Sequence, residues 1–160
     1  MRRRDREITG VEDKLAVVDS CKFCRLALVD ENRPYIVPLN YGYSFDNGVL
    51  TLFFHGAKEG RKLDVIRGNN SACFEIDCDT GLIEAQTPCG CGFAFKSVVG
   101  FGEITILEDL EEKAEALNYI MRHQTGRPAN YDFTGARLGA VAVFKMTVRE
   151  FTGKQINQRS

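Results

Sequence analysis

The chain has 160 residues, 44% of them hydrophobic and 27% charged, with a formal net charge of -1, which fits one domain spanning 1–160 around one core. No apolar run approaches the roughly 20 residues that cross a bilayer, and the basic start Met1-Arg2-Arg3-Arg4-Asp5-Arg6 is followed by no stretch of the kind a secretory signal needs. The balanced charge points to neither a nucleic acid nor a membrane as partner, and the six cysteines of a chain this long predict reduced thiols in the cytoplasm rather than a disulfide framework.

Thr9-Gly10-Val11-Glu12 has the form of a capping box, and Val11, Leu15 and Val18 recur at helical spacing, so a helix is predicted over about 9–20. Phe23 to Val29 reads as a strand buried on both faces. After the turn Asp30-Glu31-Asn32-Arg33-Pro34, residues Tyr35, Val37, Leu39, Tyr41, Tyr43 and Phe45 share one parity, which predicts a single long strand with one packed face. Asn47-Gly48 tolerates positive φ and marks a tight hairpin into a return strand over Val49 to Phe54. A helix is expected from Lys58 to Arg67, then a strand over Ser71 to Asp77 with Ala72, Phe74 and Ile76 on one face. Residues 78–94 read as a loop. Lys96 to Leu107 reads as a long strand whose Gly100 and Gly102 suggest bending or close backbone approach. Leu110, Ala114, Leu117 and Met121 make the stripe of a helix ended by Gly126 and Pro128. A loop over 127–138 and a strand over Ala140 to Val148 follow, with 154–160 as a flexible tail. Hairpins without a βαβ rhythm predict a mainly β fold, an antiparallel barrel with peripheral helices.

The most informative segment is His55-Gly56-Ala57-Lys58-Glu59-Gly60-Arg61-Lys62. A strand ends, glycine loosens the turn, and a helix start offers free N–H groups and a positive dipole end to an anion. Lys58, Arg61 and Lys62 fall at i, i+3 and i+4, on one helical face; a phosphate monoester would balance them, and a solvated basic face is the plainer alternative. His55 is either a structural histidine or a group that meets a cofactor or substrate. Pro38 lacks a ladder donor and so marks an edge or a bulge, where neighbouring backbone is free for a ligand or simply faces water. Cys21-Lys22-Phe23-Cys24 and Cys89-Gly90-Cys91 could supply four thiolates to zinc, but Cys24 sits where a strand begins rather than in a tight turn, and no metal site is expected.

The runs Cys24-Arg25-Leu26-Ala27-Leu28, Pro34 to Tyr43, Phe53-Phe54-His55-Gly56-Ala57 through Gly60-Arg61-Lys62, and Lys96-Ser97-Val98-Val99-Gly100-Phe101-Gly102 resemble, in order and spacing, the pyridoxamine-5'-phosphate-oxidase-like flavoproteins, most of all the Nim-type nitroimidazole-resistance branch. The resemblance covers roughly residues 1–153. It implies an FMN-binding antiparallel split β-barrel, a homodimer with a flavin (FMN, with FAD as the alternative) in each of two clefts between subunits. It implies that Val37, Pro38, Leu39, Asn40 and Tyr41 lie along the flavin ring, with Phe54, His55, Ser97 and Val98 nearby. Lys58, Arg61 and Lys62 would hold the phosphate, and His55 would be a donor or positioning group in catalysis. The tail Lys154 to Ser160 lacks the arginine- and histidine-rich segment that grips pyridoxamine phosphate, so that oxidation is not expected. The implied activity is reduction of a small acceptor, such as a nitroaromatic, by reduced flavin; a flavin carrier or redox sensor without fast turnover is the alternative, and a thiol or zinc module a third.

Overall fold

The structure, a computed structural model, describes residues 3–128, 130–133 and 135–157, with only the backbone at 136 and 137. Strand β1 (Glu7–Ile8) leads to helix α1 (Val11–Ser20), then strands β2 (Phe23–Asp30), β3 (Arg33–Asn40), β4 (Gly42–Asp46) and β5 (Val49–Ala57). Helix α2 (Arg61–Gly68), strands β6 (Ser71–Ile83) and β7 (Gly92–Leu107), helices α3 (Leu110–Thr125) and α4 (Gly135–Gly139) and strand β8 (Val141–Ile156) complete the order. All pairs are antiparallel in the path β3-β2-β6-β7-β8-β5-β4, with β1 added on β8. The fold is an antiparallel split β-barrel with peripheral helices.

The hairpin at Asn47-Gly48 forms as expected. Both residues take positive φ (51° and 82°), and Asp46 pairs with Val49. The long strand predicted over Tyr35 to Phe45 does not survive whole. It breaks at Tyr41 into β3 and β4, which occupy opposite ends of the sheet path. Parity continues across the break, so alternation alone could not reveal it. Tyr41 is fully buried, and its hydroxyl donates to Val18 O at 2.5 Å. Gly42 follows because a Cβ there would run into the backbone of Tyr119 and Ile120 in α3.

Other expectations shift in ways with clear causes. The capping box is not formed. Gly10, in extended conformation, is the N-cap and leaves Thr9 one residue outside, while Glu12 and Asp13 in the first turn favour the dipole. Strand β2 is buried on one face only, with Cys24, Leu26 and Leu28 inward and Phe23 (55% exposed) and Val29 outward. Strand β6 continues past Asp77 across a register shift between Cys78 and Gly81, where Asp79 takes a φ of 54°, so the irregular segment shrinks to 84–91. The 127–138 segment holds the start of α4, and β8 extends through Ile156 by pairing with β7, so Lys154 to Ile156 lie in a ladder; 158–160 lie outside the described residues.

The barrel interior is filled by Leu26, Leu52, Phe54, Phe74, Ile76, Ile104, Phe144 and Met146. A second apolar cluster, Phe53, Leu107, Ala116, Leu117, Ile120 and Val143, seats α3 on the opposite face of β5, β7 and β8. Helix α3 is well terminated. Asp109 accepts from the N–H groups of Glu111 and Glu112, both at 2.9 Å, and Gly126 closes the helix with φ 65°. Gly100 and Gly102 are places of close approach: a Cβ at the first would meet Phe74 and at the second the Thr147 carbonyl. No helix among the described residues is long and apolar enough to cross a membrane.

Candidate functional site

The site is built where β5 hands over to α2. In β5 the residues alternate, Leu50, Leu52 and Phe54 facing the core and Thr51, Phe53 and His55 facing away. The strand runs on through Ala57, because His55, Gly56 and Ala57 pair with Val143, Ala142 and Val141. Helix α2 therefore starts at Arg61, three residues later than the spacing predicts. Gly60 precedes it with a φ of 129°, a conformation no helix permits. Lys58 lies in the exposed loop before the helix and does not share a helical face with Arg61 and Lys62.

Within α2 the first bonds run from the N–H groups of Leu63 and Asp64 to Gly60 O, at 2.9 and 3.4 Å. The N–H groups of Arg61 and Lys62 are left pointing out of the helix start. Lys62 folds back over Gly56, where a Cβ would come within 2.6 Å of its Nζ, and hangs 5.7 Å from the Phe144 ring centroid. Among the described residues no carboxylate lies within ion-pair distance of Lys62, and burial holds its ammonium below the ordinary lysine value. His55 is half-buried, and its Nδ1 is shielded from solvent without a hydrogen-bond partner among the described residues. Burial, then the Lys62 charge, pushes its pKa down, which favours the neutral ring. An uncompensated cation, free amides and a glycine without side-chain bulk together suit an oxyanion such as a phosphate, with the neutral His55 ring on the other parity of β5.

Arg61 is engaged already. Its Nη2 lies 2.7 Å from Asp30 Oδ2, its Nε donates to the same oxygen at 2.9 Å, and its guanidinium sits 4.7 Å from the centroid of Tyr35. This clamp joins α2 to the β2–β3 turn and brings β3 alongside the helix start. Of the β3 residues, Val37 and Leu39 are half-buried, while Pro38 and Asn40 are exposed on the outward face. β3 pairs only with β2, so Pro38 stands on an edge strand, where its missing donor costs no ladder bond.

The remaining predicted site residues are placed differently. Tyr41, Phe54 and Val98 are fully buried in the core, and their backbone is engaged as well: Phe54 pairs with Phe144, Val98 with Ile76 and Gly153, and Tyr41 O accepts from Gln124 Nε2. Ser97 is half-buried on β7 between Asp77 and Lys154. No hydrogen bond or ion pair among the described residues links Ser97 or Val98 to His55, Arg61 or Lys62. The sequence reading missed Asp30 and Tyr35, the clamp on Arg61, because neither carries a motif; their alignment depends on the β2–β3 turn folding toward α2.

The four cysteines of the CxxC and CxC segments do not converge. Cys24 is in the core, Cys21 is buried behind α1, and Cys89 and Cys91 are exposed on the 84–91 segment. No group of three or more His, Cys, Asp or Glu among the described residues is arranged to hold a metal ion.

Residues 11–155 match the family described as pyridoxamine 5'-phosphate oxidase. Among solved structures, a candidate 5-nitroimidazole antibiotic resistance protein from Bacteroides thetaiotaomicron is 29% identical with a TM-score of 0.80, over 93% of this chain and 86% of that one. The FAD and heme binding protein from Mycobacterium smegmatis is 18% identical with a TM-score of 0.80, over 97% of this chain and 76% of the other. A FAD-binding protein from Mesorhizobium loti is 23% identical with a TM-score of 0.65, over 92% and 96%. These last two share the fold. No curated protein matches the chain.

Proposed function

The chain belongs to the pyridoxamine 5'-phosphate oxidase family, and from that premise we propose that it is a cytoplasmic, homodimeric flavin-binding oxidoreductase that passes electrons from reduced FMN to a small acceptor such as a nitroaromatic. The observation that carries the reading is Lys62: a half-buried cation with no carboxylate partner among the described residues, at a helix start with two open amides. A flavin phosphate meets that demand, whether it belongs to FMN or to FAD.

The bound flavin supplies the two-electron chemistry. The chain's own residues bind and orient. Lys62 and the Arg61 and Lys62 amides hold the phosphate, and Arg61 keeps α2 against β3 through Asp30 and Tyr35. The edge backbone around Pro38 is available to the polar rim of the ring. His55, kept neutral, carries one donor and one acceptor nitrogen with which its ring can position a substrate.

A homodimer is supported by the outward sheet face. Ile36, Ala27, Cys73 and Phe101 stand in one cross-strand row, with Ile36 60% and Phe101 53% exposed. Covering that row with a second copy would also give Ser97, remote from α2 in its own chain, a cleft to line.

The test is the visible spectrum of purified protein, identification of the cofactor released on denaturation, and assay with NADH or NADPH and a nitroaromatic. Near-stoichiometric flavin with acceptor-dependent turnover is the expected result. Retained flavin without turnover would turn the reading to a carrier or sensor. A colourless protein that takes up neither FMN nor FAD would overturn it.

A further inference from the structure

Two cysteines that play no part in the site above meet beside the end of α1. Cys21 is the residue that closes the helix, and Cys78 sits on β6 at the edge of its bulge. Ser20 Oγ lies 3.2 Å from Cys78 Sγ and 3.8 Å from Cys21 Sγ. The Cys21 thiol donates to the carbonyl of Asp77, the residue next to Cys78, at 3.2 Å. One hydroxyl and one peptide unit thus hold together two sulfurs that lie far apart in sequence.

Their surroundings differ in a way that gives each a role. Cys78 lines a cleft of about 260 Å³ with Asp13, Ser20, Asp79, Lys96 and Gln155, in which Lys96 pairs with Asp79 at 2.9 Å. That cleft is polar and roomy enough for a small oxidant. Cys21 is only 8% exposed, and burial pushes its thiol up to about 11, so it stays protonated. The Ser20 hydroxyl donates to Val17 O at 2.9 Å or to Cys78 Sγ. Its single proton is free to turn to the sulfur when that sulfur carries charge. The other thiols are placed unlike this pair: Cys24 is in the core, Cys73 faces out from the sheet, and Cys89 and Cys91 are on the surface.

We propose that Cys21 and Cys78 are a reversible redox pair, oxidised by hydrogen peroxide to an intramolecular disulfide that ties the end of α1 to β6. The Cys78 thiolate attacks one peroxide oxygen, the O–O bond breaks, and a sulfenic acid and water result once a proton is taken up. The Cys21 sulfur then displaces the sulfenic hydroxyl, which leaves as a second water with the Cys21 proton. Two thiols and one hydrogen peroxide give one disulfide and two waters; sulfur is oxidised, peroxide reduced, and an external dithiol reverses the step.

The experiment uses a Cys73→Ser/Cys89→Ser/Cys91→Ser variant, with wild type alongside, exposed to graded hydrogen peroxide and quenched with an alkylating agent. The expected result is loss of two hydrogens in the intact mass, a non-reduced protease map joining the Cys21 and Cys78 peptides, and full reversal by dithiothreitol. Cys21→Ser should stop at a Cys78 sulfenic acid that dimedone traps, and Ser20→Ala should slow cross-linking severalfold. A Cys78 that passes straight to sulfinic acid with Cys21 still titratable would overturn the proposal, as would a cross-link that uses Cys24. The wild-type map decides the matter if a variant fails to fold.

Discussion

Replacing Lys62 by methionine separates two effects that the site joins. Methionine keeps the apolar stem over Phe144 and Gly56 and drops the charge. A charge-assisted hydrogen bond to a phosphate is worth about 2 kcal/mol, so FMN should bind about 30-fold more weakly. The flavin-free protein should move the other way. Its half-buried ammonium has no carboxylate partner among the described residues, so removing it should stabilise the fold by on the order of 1 kcal/mol at most, once solvent screening is allowed for. The sign with pH follows from the lowered value. The folded state resists a proton that the unfolded chain accepts, so the wild-type penalty is complete at neutral pH and disappears as pH rises through the ordinary lysine value. The stability gap between Lys62→Met and wild type should close over the same range. FMN titration by fluorescence quenching and urea unfolding of flavin-free protein at neutral and alkaline pH measure both effects. FMN affinity within about twofold of wild type, or a less stable flavin-free variant, would refute the reasoning. Lys58→Met, in the exposed loop, should cost only a few-fold in affinity and serves as the comparison.

Gly42→Ala should lower stability by about 3 kcal/mol, read as a urea midpoint, because the new methyl meets the backbone of Tyr119 and Ile120; an unchanged midpoint would show that α3 yields freely there. His55 and His123 are both held below the ordinary histidine value, chiefly by burial. Flavin-free stability should therefore be complete above that value and fall as pH drops through it toward the lower folded values; a urea midpoint that rises on acidification contradicts this. Phe101→Glu puts a charge in the exposed apolar row with Cys73, Ala27 and Ile36. It should turn a dimer into a monomer by sedimentation velocity and weaken flavin retention with little change in the monomer's own fold, whereas an unchanged sedimentation coefficient would place the interface elsewhere.

What could be seen in the sequence was local. Asn47-Gly48 specified its hairpin through backbone tolerance, and the run up to Gly126 specified the extent of α3, although Leu110 of the expected stripe is exposed and Ala116, Leu117, Ile120 and His123 make the buried face. What escaped was set at a distance. The break at Tyr41 leaves alternation intact, since it is imposed by α1 and α3 closing on that residue and on Gly42. The late start of α2 depends on β8 drawing His55 to Ala57 into a ladder, which no reading of Lys58-Glu59 reveals. Phe54, beside His55 in the motif, faces the core, and β5's own alternation already held that information. The proximity of Cys21 and Cys78 follows from neither CxxC nor CxC spacing but from β6 packing beside the end of α1.

The position of β8 has a consequence for how the protein is made. It is hydrogen-bonded to β1, β5 and β7, yet it follows all of them in the chain. On the ribosome, β5 and β7 must wait side by side with their inner edges unpaired until Val141 to Ile156 has emerged. Such delayed, long-range closure slows folding and exposes strand edges to wrong partners. Slowing translation upstream of β8 should therefore lower the yield of folded protein more than an equal pause after it, and a chaperone that shields nascent edges should act chiefly in that interval.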